Sequence, residues 1–238
     1  MDNAGYATLT RQSGLMQELQ LVANNIANAN TTGFRAEGVM FSEFVADLGR
    51  DTSSLSMAAA RIKLTDMTQG TLAQTGGSFD LAIEGDGYFL VGTPDGPRLT
   101  RAGSFTPNAD GELATMDGNP VLDAGGAPVF VPAGDGPVGI AADGTLSAGG
   151  VAVGQIGIVV PTDPTAMRRQ SGTLFAADAG FEPAPSGRVL QGFLEDSNVN
   201  PIVQISRMIE LQRAYELGAS FLETEDTRIR GVIQAIGR

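Results

Sequence analysis

Cysteine, histidine and tryptophan are all absent from the 238 residues. Without cysteine there is no disulfide framework, no thiolate metal site and no thiol nucleophile. Without histidine the usual general base and the usual neutral metal ligand are missing, which excludes Ser-His-Asp catalysis and histidine-based metal centres. Aromatic residues make up only 6% of the chain, so its core has to be built from Val, Ile, Leu and Ala packed around many turns. Cations are scarce as well: 15 Lys and Arg face 27 Asp and Glu, a net charge of −12. That sign repels phosphate backbones and anionic headgroups, which argues against nucleic-acid and membrane-surface partners. No segment approaches the roughly 20 apolar residues needed to span a bilayer, so an integral membrane protein is not expected. The opening has no cation before Arg11 and does not read as a Sec-type signal.

Proline is missing from both ends, all 12 residues lying between Pro94 and Pro201. The flanks are rich in Ala, Leu, Gln, Glu and Arg, which suit helices. The chain therefore reads as α+β: residues 1–33 an N-terminal helix, 34–74 an extended linker with some strand, 75–196 a central antiparallel β-rich domain, and 197–238 a C-terminal helix. In the first segment Leu15, Leu19, Val22 and Ile26 alternate spacings of four and three, placing them on one helical stripe. Asn24, Asn25, Asn28 and Asn30 keep the period although Asn is a mediocre helix former, so their side chains are expected to bond to neighbours. Gly33 offers a left-handed stop for this helix.

The last segment opens on Asn200-Pro201, an N-cap followed by proline at the first helical position. Beyond it Met208, Tyr215, Leu222, Ile229 and Ile236 fall one heptad apart, and Ile205, Ala219 and Ile233 form an adjacent row broken by Gln212 and Asp226. A stripe about 50 Å long at 1.5 Å per residue needs a cover. The N-terminal helix carries a matching one, so the two ends are expected to pair as a coiled-coil-like layer. Between them, six Asp-Gly pairs at 86, 95, 110, 117, 135 and 143 punctuate short apolar runs, and both positions of such a pair tolerate positive φ.

Two stretches at opposite ends, Ala23-Asn24-Asn25-Ile26-Ala27-Asn28-Ala29-Asn30-Thr31-Thr32-Gly33-Phe34-Arg35 and Ser197-Asn198-Val199-Asn200-Pro201 followed by residues 208–216, resemble the paired terminal signatures of flagellar rod and hook proteins. Leu81 to Phe89, leading into Leu99-Thr100-Arg101-Ala102-Gly103-Ser104-Phe105, resembles the start of that family's β domain. The opening residues 1–6 and the segment 140–147 look most like its proximal-rod members. Gly218, where a polar helix former is usual, and Glu223-Thr224-Glu225-Asp226 depart from the pattern.

The resemblance implies a non-enzymatic structural subunit of the basal-body rod, located in the periplasmic part of the flagellum. It would be carried out by the flagellar type III export apparatus and would assemble with itself and with other rod subunits into the axial drive shaft and export channel. It implies no cofactor, no metal, no catalytic residue and no small-molecule substrate. The assembly surface is expected at Leu15, Leu19, Val22, Asn25, Ile26, Asn28, Met208, Leu211, Tyr215, Leu222, Ile229 and Ile236. Read without the resemblance, the same stripes could simply bury against the protein's own middle. A carbohydrate-active β protein using two carboxylates from among Glu84, Asp86, Glu112 and Asp117 is the alternative from another class, although Asp in Asp-Gly pairs more often forms turns. Arg168-Arg169 reads as a solvated surface pair.

Overall fold

Helices stand at the two ends and strands fill the interval between them. The computed structural model describes residues 2–46, 55–132, 134, 136–184 and 186–236, with the side chains of 7–40 and of 63 onward among them. The chain divides into two units, the first from Met1–Ala29, Ala36–Met67 and Val199–Arg238, the second from Asn30–Arg35 and Thr68–Asn198.

In the first unit the helices α1 (Asp2–Ala27) and α2 (Pro201–Ile236) pack on each other. A hairpin of β1 (Glu37–Ala46) and β2 (Leu55–Thr65) lies against α1. Much of the stretch expected to be an extended linker thus pairs with itself. Asn200 caps α2, its Oδ1 accepting from the backbone N–H of Ile202 at 3.1 Å and of Val203 at 3.2 Å, which satisfies two donors that have no partner inside the helix. Gly33 does not close α1, which stops at Ala27, six residues earlier. Its φ of +68° instead lets the chain approach the backbone of Arg101 and Ala102.

The second unit holds β3 (Leu72–Gln74), β4 (Leu81–Glu84), β5 (Tyr88–Thr93), β6 (Gly96–Thr100), β7 (Phe105–Pro107), β8 (Leu113–Thr115), β9 (Val138–Ile140), β10 (Thr145–Ala148), β11 (Val151–Gln155), β12 (Ile158–Pro161), β13 (Met167–Ser171), β14 (Leu174–Ala177), β15 (Phe181–Pro183), β16 (Arg188–Gln191) and β17 (Phe193–Glu195). Six of them form a sheet in the order β13-β14-β6-β5-β12-β15, three form β11-β10-β9, and β16-β4, β17-β3 and β7-β8 pair separately. Every pairing is antiparallel.

Asp95-Gly96, Asp110-Gly111 and Asp143-Gly144 each lie where two mutually paired strands are joined. Asp86-Gly87 instead links β4 to β5, which pair with other strands. Asp135 lies outside the described residues.

Strand β5 shows how the core is built. Its period of two sends Phe89 and Val91 into one apolar cluster, with Leu81, Ile83, Leu113 and Val121, while Tyr88 and Leu90 enter another with Leu99, Val159 and Phe175. A strand at the middle of a sheet with both faces covered has to be apolar throughout, which explains the run Tyr88-Phe89-Leu90-Val91. Phe89 meets Phe105 edge to face at 5.2 Å, the arrangement that ring quadrupoles favour.

Gly103 leaves no room for a side chain, since a Cβ there would sit 1.7 Å from the Leu81 carbonyl oxygen. Gly231 on α2 has nothing within 4 Å of the same position. Gly103→Ala is therefore expected to destabilise the protein at the upper end of the ~1–3 kcal/mol typical of overpacking, whereas Gly231→Ala should gain up to about 1 kcal/mol from helix propensity. Thermal melts of the two variants side by side check this, and equal midpoints would contradict it.

Candidate functional site

Polar contacts set the register of the two helices: Gln12 Nε2 donates to the Tyr215 carbonyl at 3.4 Å, Glu18 accepts from Arg207, and Asn25 Nδ2 donates to Gln204 Oε1 at 3.4 Å. Numbering rises along α1 as it falls along α2, so the helices are antiparallel. Of the residues expected on the assembly surface, Val22, Asn25 and Leu211 are buried, while Leu15, Leu19, Ile26, Asn28, Met208, Tyr215 and Leu222 are half-buried. Ile229 and Ile236 are exposed. Leu211 is the one residue of α2 that is buried among those described.

The asparagines divide. Asn28 Nδ2, one residue beyond α1, donates back to the Asn24 carbonyl of that helix. Asn25 is only 1% exposed and clasps β1, its Nδ2 donating to the Glu37 carbonyl at 2.7 Å and its Oδ1 accepting from the Glu37 N–H at 2.9 Å. Both backbone groups of Glu37 are thereby satisfied by one side chain, and with Gln204 the same amide links α1, the hairpin and α2.

A second constellation lies within the second unit, and it was not assigned a role from the sequence. Glu195, the last residue of β17, is fully buried between two guanidinium groups. Arg35 Nη1 lies 2.5 Å from Glu195 Oε1, and Arg101 Nη1 lies 3.1 Å from Oε2. The N–H of Gly70 also donates to Oε1 at 3.0 Å. Arg35 further donates to the Thr68 carbonyl, and Arg101 to those of Ile83 and Gly85. The Arg101 guanidinium stands over the Tyr88 ring at 5.1 Å.

This pocket is dry. Burial pushes the Arg35 guanidinium below its ordinary pKa, with Glu195 pulling upward and Arg101 adding to the depression. The same burial raises the Tyr88 phenol against the pull of Arg101 and Arg35. Arg35 Nε and Nη2 and Arg101 Nε are buried without an acceptor among the described residues. Charges held so far from water cost several kcal/mol each, a cost set against their mutual attraction and the hydrogen bonds they make.

The segment Gly33-Phe34-Arg35 is built into this unit. Gly33 donates to the Glu195 carbonyl at 2.7 Å, and a Cβ on it would lie 2.2 Å from the backbone nitrogen of Ala102. The positive φ thus lets the chain press against another backbone, where any side chain would collide. Phe34 is 1% exposed, and Arg169 covers it with its guanidinium 4.4 Å from the ring centre and 4.8 Å from that of Phe175. Arg169 Nη2 also donates to the Arg35 carbonyl. The expectation of a solvated Arg168-Arg169 pair therefore fails for Arg169, which is half-buried against aromatic rings, and describes only Arg168, exposed and paired with Asp178. Two signals could have found the trio. Each of two glycine-containing signature stretches carries an arginine, and an acid pair, Glu195-Asp196, follows the apolar Phe193-Leu194.

Three family models match the chain: one described as flagella basal body rod protein over residues 8–35, one as flagellar hook protein FlgE/F/G D1 domain over 82–148, and one as flagellar basal body rod FlgEFG protein C-terminal over 190–235. Among curated proteins, a flagellar basal-body rod protein FlgF of Caulobacter vibrioides is 40% identical over 100% of this chain and 99% of its own length. Another FlgF, of Rhizobium meliloti, is 35% identical with the same coverage. A flagellar basal-body rod protein FlgG of Bacillus subtilis is 31% identical over 96% of this chain and 97% of its own. Each of the three matched segments supplies one member of the buried trio: Arg35, Arg101 and Glu195.

Removing Glu195 leaves two buried cations facing each other, whereas removing Arg35 leaves a neutral Glu195–Arg101 pair. Glu195→Gln is therefore expected to cost more stability than Arg35→Met, with the larger loss about 3–5 kcal/mol as for other broken buried pairs. Urea titration of both variants and of the double variant measures the coupling, and an inverted order would refute the assignment of Glu195 as the hub.

Proposed function

We propose a mode of assembly for this chain, which belongs to the flagellar basal-body rod protein family: it is a structural subunit of the rod that polymerises through its two terminal helices. In this reading the helices form a coiled-coil-like layer that contributes to the axial shaft and its channel, and the partners are further copies and other rod subunits. Delivery through the flagellar type III export apparatus follows the resemblance to the family, and a place in the proximal rod follows that of residues 1–6 and 140–147 to its proximal-rod members.

The observation that carries this proposal is the state of α2. Over 36 residues it buries a single side chain, while Ile202, Val203, Leu217, Ile233 and Ile236 are each more than half exposed. Aliphatic side chains left in water at this density on one helix mark a surface that is covered by something else. No described helix is long and apolar enough to cross a membrane, so a bilayer span does not account for them. Burying each would contribute roughly 1.5–3 kcal/mol, ample to drive association once several act together.

Leu222 tests the proposal because it lies on the stripe at the margin of coverage, half-buried beside exposed neighbours. Leu222→Asp places a carboxylate in a seam that assembly is expected to close, at a cost of several kcal/mol. The variant should express, retain the melting transition of the β unit and be exported, yet give cells without hooks or filaments. Normal swimming by such cells would refute the seam, as would loss of the β unit's own transition in the purified variant.

A further inference from the structure

Away from the helices, an open groove lies in the second unit at the turn that joins β7 to β8. Its volume is about 430 Å³, with Phe79, Pro107, Phe130, Pro132 and Val138 among its apolar lining, a size suited to a few side chains. Phe130 is 51% exposed, although Val129 and Val131 on either side of it are buried in the core. Alternation along extended backbone turns the ring outward while its neighbours point in. The ring rests on Gly111, where a Cβ would come within 2.6 Å of Cε2. Backbone contacts hold the two together: the Val131 N–H donates to the Gly111 carbonyl at 2.7 Å, and Glu112 bridges Phe130 antiparallel.

What the groove lacks decides its ligand. Among the described lining residues the one side-chain donor is Asn108, and its amide is engaged within the turn. Its Nδ2 donates to Glu112 Oε2, while its Oδ1 accepts from the N–H groups of Asp110 and Glu112. Asp110 also lines the groove, exposed, and its carboxylate has no partner among the described residues. Residues 102–167 contain seven Asp and Glu and no Lys or Arg, so nothing in that stretch neutralises it. A carboxylate beside an open aromatic face is complementary to a group that brings positive charge and donors together. A guanidinium does both, since its plane stacks on a ring and its fork of N–H groups matches a carboxylate. A glycan is a poorer fit, because its hydroxyls and ring oxygens need donors that this groove does not offer.

We infer that the groove binds an arginine of a partner protein, the guanidinium on Phe130 and Asp110 and the apolar residues beside that arginine against Pro107, Pro132 and Val138. A second copy has little to offer it. Arg101 is buried, Arg169 lies on two rings, Arg168 is paired with Asp178 and Arg98 is bonded to Gln170. On α2, Arg207, Arg228 and Arg230 are paired with acids of their own chain. The partner is therefore a different protein, and the contact does not depend on assembly through the helices.

The test titrates the full-length chain into fluorescein-labelled pentapeptides with Arg at the centre and Leu, Val or Pro at the other positions, and into the same pool with Gln at the centre. Fluorescence anisotropy at physiological ionic strength is expected to show the Arg pool bound at least about tenfold more tightly, the difference made by one charge-assisted contact. Phe130→Ala and Asp110→Asn should each weaken the Arg pool by a similar factor with the melting transition unchanged. Glu182→Gln removes the same charge from an exposed position of β15 outside the groove, and should alter binding by no more than about twofold, as a screened surface charge does. Equal losses from Asp110→Asn and Glu182→Gln would reduce the effect to general attraction by an acidic surface and overturn the groove. Equal affinity for the Gln pool, loss-free binding in Phe130→Ala, no binding of the Arg pool at all, or binding of tri-N-acetylchitotriose that Phe130→Ala abolishes would each overturn it as well.

Discussion

A carboxylate with no access to water sets the terms for the second unit. Glu195 cannot be left alone at the end of β17, because an isolated buried charge costs far more than one domain's margin of stability. Its partners come from far away in sequence, Arg101 just beyond β6 and Arg35 from a segment that precedes every strand of the unit. The need to satisfy one side chain thus dictates where three distant stretches meet. Gly33 turns tightly enough to bring Arg35 in, Phe34 fills the adjoining apolar space under Arg169, and Asn198 ties the exit of the unit to Thr68. A buried ion group of this kind is weak evidence for net stability, and here it joins the three stretches that the family models match.

The two units spend their apolar surface differently. In the second, both clusters are closed around β5, and the ends of the six-stranded sheet are blunted. Strand β13 carries Arg168 and Arg169 and a register shift, and β15 is three residues long and ends on Pro183. Such edges discourage pairing with another chain. In the first unit the polar clasp of Asn25 fixes register, while α2 leaves most of its aliphatic side chains in contact with solvent. The sheet edges thus carry features that discourage pairing, while aliphatic side chains of the helix stay exposed.

What was legible in the sequence was local. The stripes of both helices, the Asn200-Pro201 cap and several Asp-Gly turns each depend on residues within one or two turns of chain, and the structure has helices and joined strands there. Long-range satisfaction was not legible. Residues 37–46 and 55–65 pair along their length, but no single-strand pattern announces a partner across an eight-residue gap. Gly33 was read as a helix stop because left-handed glycine has that local meaning, whereas its conformation answers to the backbone at Arg101 and Ala102. Arg169 was read as solvated because a pair of arginines usually is. Only the rings of Phe34 and Phe175, 135 residues behind it and six ahead, change that.

Incomplete burial on α2 also has a thermodynamic logic that a self-sufficient fold would lack. A helix pair that covered its whole stripe would gain nothing from meeting another copy, since the area available for burial would already be spent within the chain. The stripe of α2 stays exposed at Ile229, Ile233 and Ile236, so that apolar area is not spent within the described chain. The β unit needs no such reserve, because Glu195 and its arginines complete it from within the chain. The residues that complete the second unit and the exposed aliphatic side chains of α2 are therefore different sets.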